Sequence, residues 1–245
     1  MTKNASITFF ILFLLTCQIN YQDIFAEAKI KEPVSDYLKK IEKATNSDAL
    51  KTTKGISFKM TLSVPQANIT GTSEVTATTN KAFMKVSMAG MEQTMGYDGK
   101  IGWSKDLSQG LREITGQEKE AVIQSTIDFL KDIKAYYNEI VAAADEKFEE
   151  KDCIVLICKK EGIPDKKVFV DKATFLPSGS ISVQDGPQGK MTVKEIIHSY
   201  KKCENGYMMP DSITQDMGIM KMKLTVNDIK LNPTIDEKIF NQPEN

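Results

Sequence analysis

Histidine, tryptophan and arginine each occur once in the 245 residues, as His198, Trp103 and Arg112. One imidazole excludes most catalytic arrangements at the outset, because triads, metallohydrolase sites and proton shuttles draw on one or more histidines. There is also no excess of either charge: 32 Lys+Arg stand against 33 Asp+Glu, so the chain lacks the broad basic field of a nucleic-acid-binding protein. No CxxC pair, HExxH helix, Asp-rich calcium loop or Gly-rich phosphate loop is present, which removes the common metal and nucleotide sites, and no cofactor is implied. The carboxylates Glu118, Glu120, Glu149 and Glu150 read as solvated faces, and no pair stands out as acid and base. The residues therefore point to a non-enzymatic binding protein.

Only one hydrophobic run is long. Ile7–Cys17 follows Lys3 and precedes Ala26-Glu27-Ala28, the order of a signal peptide cleaved after Ala28. Its 11 residues fall short of the roughly 20 that span a bilayer. Cleavage removes Lys3, Asp23 and Glu27, which leaves residues 29–245 formally neutral. The same run carries a second reading, because Leu14-Leu15-Thr16-Cys17 resembles a loose lipobox in which Cys17 is lipidated and retained. The protein is thus expected in the periplasm, free or anchored through Cys17. Residues 29–245 contain Cys153, Cys158 and Cys203. On one extended strand Cys153 and Cys158 lie about 16 Å apart, too far to pair, and Cys203 could bridge to either or stay reduced.

What is abundant is alternation. After an amphipathic helix carrying Val34, Tyr37, Leu38 and Ile41, and a short turn from Ser47, the period changes to two. Ile56, Phe58, Met60, Leu62 and Val64 alternate with Ser57, Lys59, Thr61 and Ser63, a strand with one dry and one wet face. The pattern recurs in Ile69–Thr78, Ala82–Met88 and Met91–Tyr97, with Ala89-Gly90 and Asp98-Gly99 as turns. Residues 116–137 break the rhythm as a helical insertion. Strands resume at Ile140–Phe148, Cys153–Lys159, Lys167–Asp171, Phe175–Val183, Met191–Tyr200, Tyr207–Met217 and Ile219–Ile229, with Gly162–Asp165 read as a turn. No Gly/Ser or Pro linker divides the chain, so residues 29–245 read as a single, mainly β (α+β) domain. About ten antiparallel strands with one apolar face must curl or be covered, and the helices are the available cover.

Methionine is the positive signal, with Met60, Met84, Met88, Met91, Met95, Met220 and Met222 falling mostly on the dry faces. Unbranched, polarizable side chains adapt to irregular apolar ligands such as acyl chains, although for any one of them filling the core is the simpler account and only the set points to a site. Alternation nominates Phe58, Met60, Leu62, Met84, Met88, Met91, Met95, Met222 and Leu224 as the lining of an apolar site. His198 alternates with Thr192, Lys194, Ile196 and Tyr200 and has no activating setting that would make it a partner of Cys203.

Ordered motifs carry a resemblance: Tyr97-Asp98-Gly99-Lys100-Ile101-Gly102-Trp103, Leu111–Gly116, Lys167–Pro177, Tyr207-Met208-Met209-Pro210 and Ile235–Pro243. Together they make the chain similar to the outer-membrane lipoprotein-sorting superfamily of LolA-like and LolB-like proteins. The resemblance implies a curved antiparallel sheet forming an incomplete β-barrel, with helices as a lid over an apolar cavity that holds the acyl chains of a lipoprotein or lipid. It implies a monomeric carrier, a membrane-protein partner in the envelope and no nucleic acid. A non-catalytic envelope sensor or protein-interaction module on the same fold is the alternative. By order in the chain, Arg112 does not fall where the family's lid-contacting arginine does.

Overall fold

The computed structural model describes residues 33–186, 189–218 and 220–244, so the signal-peptide segment and Cys17 lie outside the described residues. Chain order begins with α1 (Val34–Thr45), whose spaced apolar residues bury Leu38 and Ile41 and which ends at Asn46 in the left-handed conformation. A 3-10 turn, Ser47–Thr52, leads into β1 (Gly55–Val64), β2 (Ile69–Thr78), β3 (Ala82–Met88), β4 (Met91–Tyr97), β5 (Gly102–Asp106) and β6 (Gly110–Ile114). Three short helices follow: α2 (Gly116–Ile123), α3 (Ile127–Lys131) and α4 (Ile133–Tyr136). The second run of strands is β7 (Glu139–Ala142), β8 (Glu146–Phe148), β9 (Lys151–Lys160), β10 (Ile163–Asp171), β11 (Pro177–Gly186), β12 (Gly189–Lys202), β13 (Met208–Asp216) and β14 (Lys221–Leu231). A last 3-10 turn, Glu237–Phe240, ends the fold.

All fourteen strands belong to one antiparallel sheet in the order β6-β5-β4-β3-β2-β1-β14-β13-β12-β11-β10-β9-β7, with β8 paired to β9. Two meanders are therefore joined in the middle where β1 meets β14, and the helices connect their far edges, β6 and β7. That topology makes the helical insertion a crossing segment: the chain leaves one edge of a curved, unclosed sheet and must reach the other. The sheet has more strands than the ten expected because β5 and β6 carry little alternation. The Ile140–Phe148 run is also two strands, separated at residues 143–145.

Cross-strand registers assign each side chain a face. Phe58, Met60 and Leu62 stand opposite Val75, Ser73 and Gly71 of β2, which stand opposite Met84, Val86 and Met88 of β3. In the other direction Leu62 meets Leu224, and Leu224 meets Ile213 of β13. This inner face is the one the helices cover. Val122 of α2 and Ile127 of α3 are 1% exposed in a cluster with Ile56, Ala77, Ala82 and Val226. Helix α1 packs Leu38 and Ile41 on Ile154, Leu156 and Val170 further round the sheet. The outer face is sealed separately. Phe148 stacks on Phe169 with ring centroids 4.2 Å apart, over Cys153, Val155 and Ile157. On the first meander the buried Trp103 donates its Nε1–H to the carbonyl of Phe240 at 2.8 Å. The terminal tail is thus anchored by Phe240.

Cys153 and Cys158 lie on opposite faces of β9, in register with Asp171 and Lys166 respectively, and all three described cysteines are free and buried. Burial pushes each thiol up, Cys158 to about 12, so its thiolate is suppressed. A chromogenic disulfide reagent is therefore expected to leave the folded protein unlabelled over minutes and to titrate all three thiols in denaturant. Prompt labelling of the native protein would show an accessible, activated cysteine.

Candidate lipid-binding face

All nine residues nominated by alternation stand on the inner face, in two adjoining groups. Leu62, Met88, Met222 and Leu224 are buried in a cluster with Val64, Val86, Met191, Val193, Met217 and Met220, and Met60 and Met84 pack against it. Phe58 and Met95 pack, with Met60 again, on the neighbouring cluster beneath the helices. Met91 is half-buried opposite Met88 on the adjacent strand. Cross-strand pairing explains the convergence: Met84 faces Met95 and Met88 faces Met91 across β3 and β4. Met191 and Met217 were missed as lining residues. Met191 sits near the start of β12, and Met217 follows β13 in the β13–β14 turn, where its N–H donates to the Met220 carbonyl; that turn is the signal that could have found Met217.

The inner face also holds polar groups that an apolar-periodicity reading passes over. Ser180, Glu195, Gln215 and Met222 stand side by side across β11, β12, β13 and β14, a row that turns from polar to apolar. Gln93 Nε2 donates to the buried Ser104 Oγ at 3.0 Å on β4 and β5. Ser73 lies between Met60 and Val86, 1% exposed.

The helices are tied to both meanders. Arg112, on the inner face of β6, holds Glu118 of α2 through two donated hydrogen bonds of 2.8 and 2.6 Å. The sole arginine thus does contact the covering helix, and Glu118 is not a solvated residue. Glu120, read as solvated too, has a side chain only 19% exposed. It accepts from Tyr136 Oη of α4 and pairs with Lys160 Nζ of β9 at 3.2 Å, while that ammonium sits 3.6 Å from the Tyr136 ring centre. Burial, reinforced by its bond to Glu120, holds the Tyr136 hydroxyl protonated far above neutral pH. Gln117 Nε2 makes a second tie to the same meander, donating to the Val183 carbonyl of β11 at 3.3 Å. These long-range partners close the span between the sheet's two arms.

His198 Nε2 lies 2.8 Å from Thr214 Oγ1 on the outer face. Among the described residues no three His, Cys, Asp or Glu side chains are grouped to hold a metal ion. Leu107, 90% exposed at the tip of the β5–β6 hairpin, is an apolar outlier that nothing in its sequence context marks.

No family model matches the sequence, and no curated protein sequence does either. Solved structures do. A LolA superfamily protein from Nitrosomonas europaea superimposes with a TM-score of 0.57 at 15% identity, over 82% of this chain and 97% of that one. A protein of the DUF1329 family from Desulfovibrio piger gives 0.56 at 12% identity, over 84% and 97%. An outer membrane lipoprotein-sorting protein domain from Vibrio parahaemolyticus gives 0.53 at 16% identity, over 84% and 97%. At such low identity the likeness establishes the fold, and the curved, unclosed antiparallel sheet spanned by helices is a LolA-like fold.

Proposed function

We propose that the protein is an exported, non-enzymatic carrier that binds the acyl chains of a lipid or lipoprotein without covalent chemistry. The observation that carries this reading is the gathering of all nine alternation-selected side chains on the inner face. Five of them, Phe58, Met60, Met84, Met91 and Met95, remain only half-buried, and the helical cover that packs with Phe58, Met60 and Met95 is tied to both arms of the sheet. Removing apolar surface from water supplies about 25 cal/mol per Å2, so two or three chains laid on such a face bind without a specific polar contact. Methionine lets the face fit chains of different length and curvature. The polar row through Ser180, Glu195 and Gln215 borders the apolar sector and suits an amphipathic ligand whose head lies to one side.

Loading and release follow from the topology. The helices are the single crossing between the two meanders, so moving α2 uncovers the face without breaking a sheet pairing. A partner protein in the envelope that competes for the acyl chains would drive release by mass action. The signal peptide directs the carrier to the periplasm as a monomer, either free after cleavage behind Ala28 or held through a lipidated Cys17. Mass spectrometry of the purified native protein separates the two forms.

The deciding experiment is displacement of an apolar fluorescent dye from the mature protein by a triacylated peptide, run beside its unacylated counterpart. Displacement by the acylated peptide alone is the expected result. If the dye binds and neither peptide displaces it, or the dye does not bind, the carrier reading fails and a protein-interaction role takes its place.

A further inference from the structure

Three hydroxyls among the described residues are buried with no hydrogen-bond partner, those of Ser47, Ser73 and Ser178. Ser47 opens a 3-10 turn, and Ser178 lies beside the Cys153 thiol. Ser73 differs from both, because it stands in the candidate site itself. Its direct neighbours across the sheet are Met60 on β1 and Val86 on β3, and its diagonal neighbours are Phe58, Leu62, Met84 and Met88. Five of these six are residues nominated for the apolar lining. A hydroxyl with neither donor nor acceptor in the middle of that patch is unfavourable in the ligand-free protein, since burial strips its water and the fold returns nothing. Alanine or valine would fit the same alternation without that penalty.

We propose that the Ser73 hydroxyl is a ligand-binding group that donates a hydrogen bond to the carbonyl oxygen of an acyl linkage. The inference rests on the acyl-carrier reading and sharpens it: the ligand is recognised at its ester or amide carbonyl as well as along its chains. Met60 and Met84, half-buried on either side, have the rotatable bonds needed to move aside and admit a linkage to the strand floor. In that apolar setting a carbonyl meets no water, and a single neutral hydrogen bond becomes a means of discrimination.

The test compares dye displacement by a diacyl ester lipid, by the N-acyl amide of the same chain length and by the ether-linked analogue, which keeps the chains and lacks the carbonyl. Wild-type protein is expected to bind the ester or the amide roughly three- to tenfold more tightly than the ether. Ser73→Ala should bring the favoured linkage down to the ether's affinity and leave ether binding unchanged, and whichever arm loses more identifies the linkage. With no ligand, Ser73→Ala should melt at or above the wild-type temperature, because it removes an unmet polar group. The proposal is overturned if wild type does not discriminate, if Ser73→Ala weakens all three ligands alike, or if the ligand-free variant melts lower. Those results leave acyl binding intact. Failure of all three lipids to displace the dye would instead overturn the carrier reading, and this proposal with it.

Discussion

Trp103→Ala is expected to reduce the unfolding free energy by about 3–5 kcal/mol and the melting temperature by roughly 10 °C. Trp103 is 2% exposed on the outer face of β5, and its indole lies over Gly96, where a Cβ would stand 2.4 Å from the ring. Phe83 approaches it with ring centroids 6.1 Å apart. Its Nε1–H holds the carbonyl of Phe240, a residue with no exposed surface, and Lys81 supports the same tail by pairing with Glu237 at 2.7 Å. Truncation at Trp103 therefore opens a cavity, orphans a carbonyl and frees the anchor of the last segment together. Urea unfolding followed by far-ultraviolet circular dichroism measures the loss. Removing the chain after Asp236 should cost a similar amount, and the two changes combined should cost less than their sum, because they break one contact. A loss below about 1 kcal/mol for Trp103→Ala would mean that the tail does not seal this face. Acyl binding should survive in the folded fraction, since Trp103 and the inner face lie on opposite sides of the sheet.

That separation of faces is also what made much of the fold legible in the sequence. β1 reads directly because Ile56, Phe58, Met60, Leu62 and Val64 alternate without interruption, and a period of two permits one assignment of faces. Asp98-Gly99 reads as a turn for a local reason as well: Asp98 Oδ1 accepts from the amides of Lys100 and Ile101 at 2.8 and 2.7 Å. Other elements were hidden. β5 buries Gly102, Trp103 and Ser104 in succession because both of its faces are covered, so no alternation survives. β10 begins at Ile163, ahead of the Lys167 that the pattern suggested, because Pro164 and Asp165 fall in a register irregularity where a proline is tolerated. The tie formed by Glu120, Tyr136 and Lys160 was unreadable for a different reason. Its three groups, a carboxylate, a phenol and an ammonium, lie on three elements, and a helix with charged residues looks solvated until the strand it faces is known. Ser73 was invisible on the same grounds, since a serine on an apolar face weakens the very periodicity that locates the face.

Met84→Glu is expected to lower acyl-ligand affinity by about a hundredfold or more, the largest functional effect of any single substitution on the inner face. Met84 stands beside Val75 and opposite Met95 within the half-buried methionine sector, so a carboxylate there would be covered by hydrocarbon with no cation in register. In the free protein the same position keeps some contact with water, which allows the variant to fold with a modest loss that a melting curve can bound. Met84→Leu conserves volume and should retain most of the affinity for a given chain while narrowing the range of chains accepted. Thr72→Glu supplies the contrast. Thr72 is exposed and adjacent to Ser73, yet it points to the outer face opposite Ser87, so an added charge should leave binding unchanged. If Met84→Glu and Thr72→Glu act alike, the ligand does not distinguish the two faces and the binding site lies elsewhere. If only Met84→Glu abolishes displacement of the dye, then the alternation that folds β1 to β4 into a curved sheet is also what separates a wet surface from an acyl-binding one. Pleat, burial and ligand chemistry would share one physical cause.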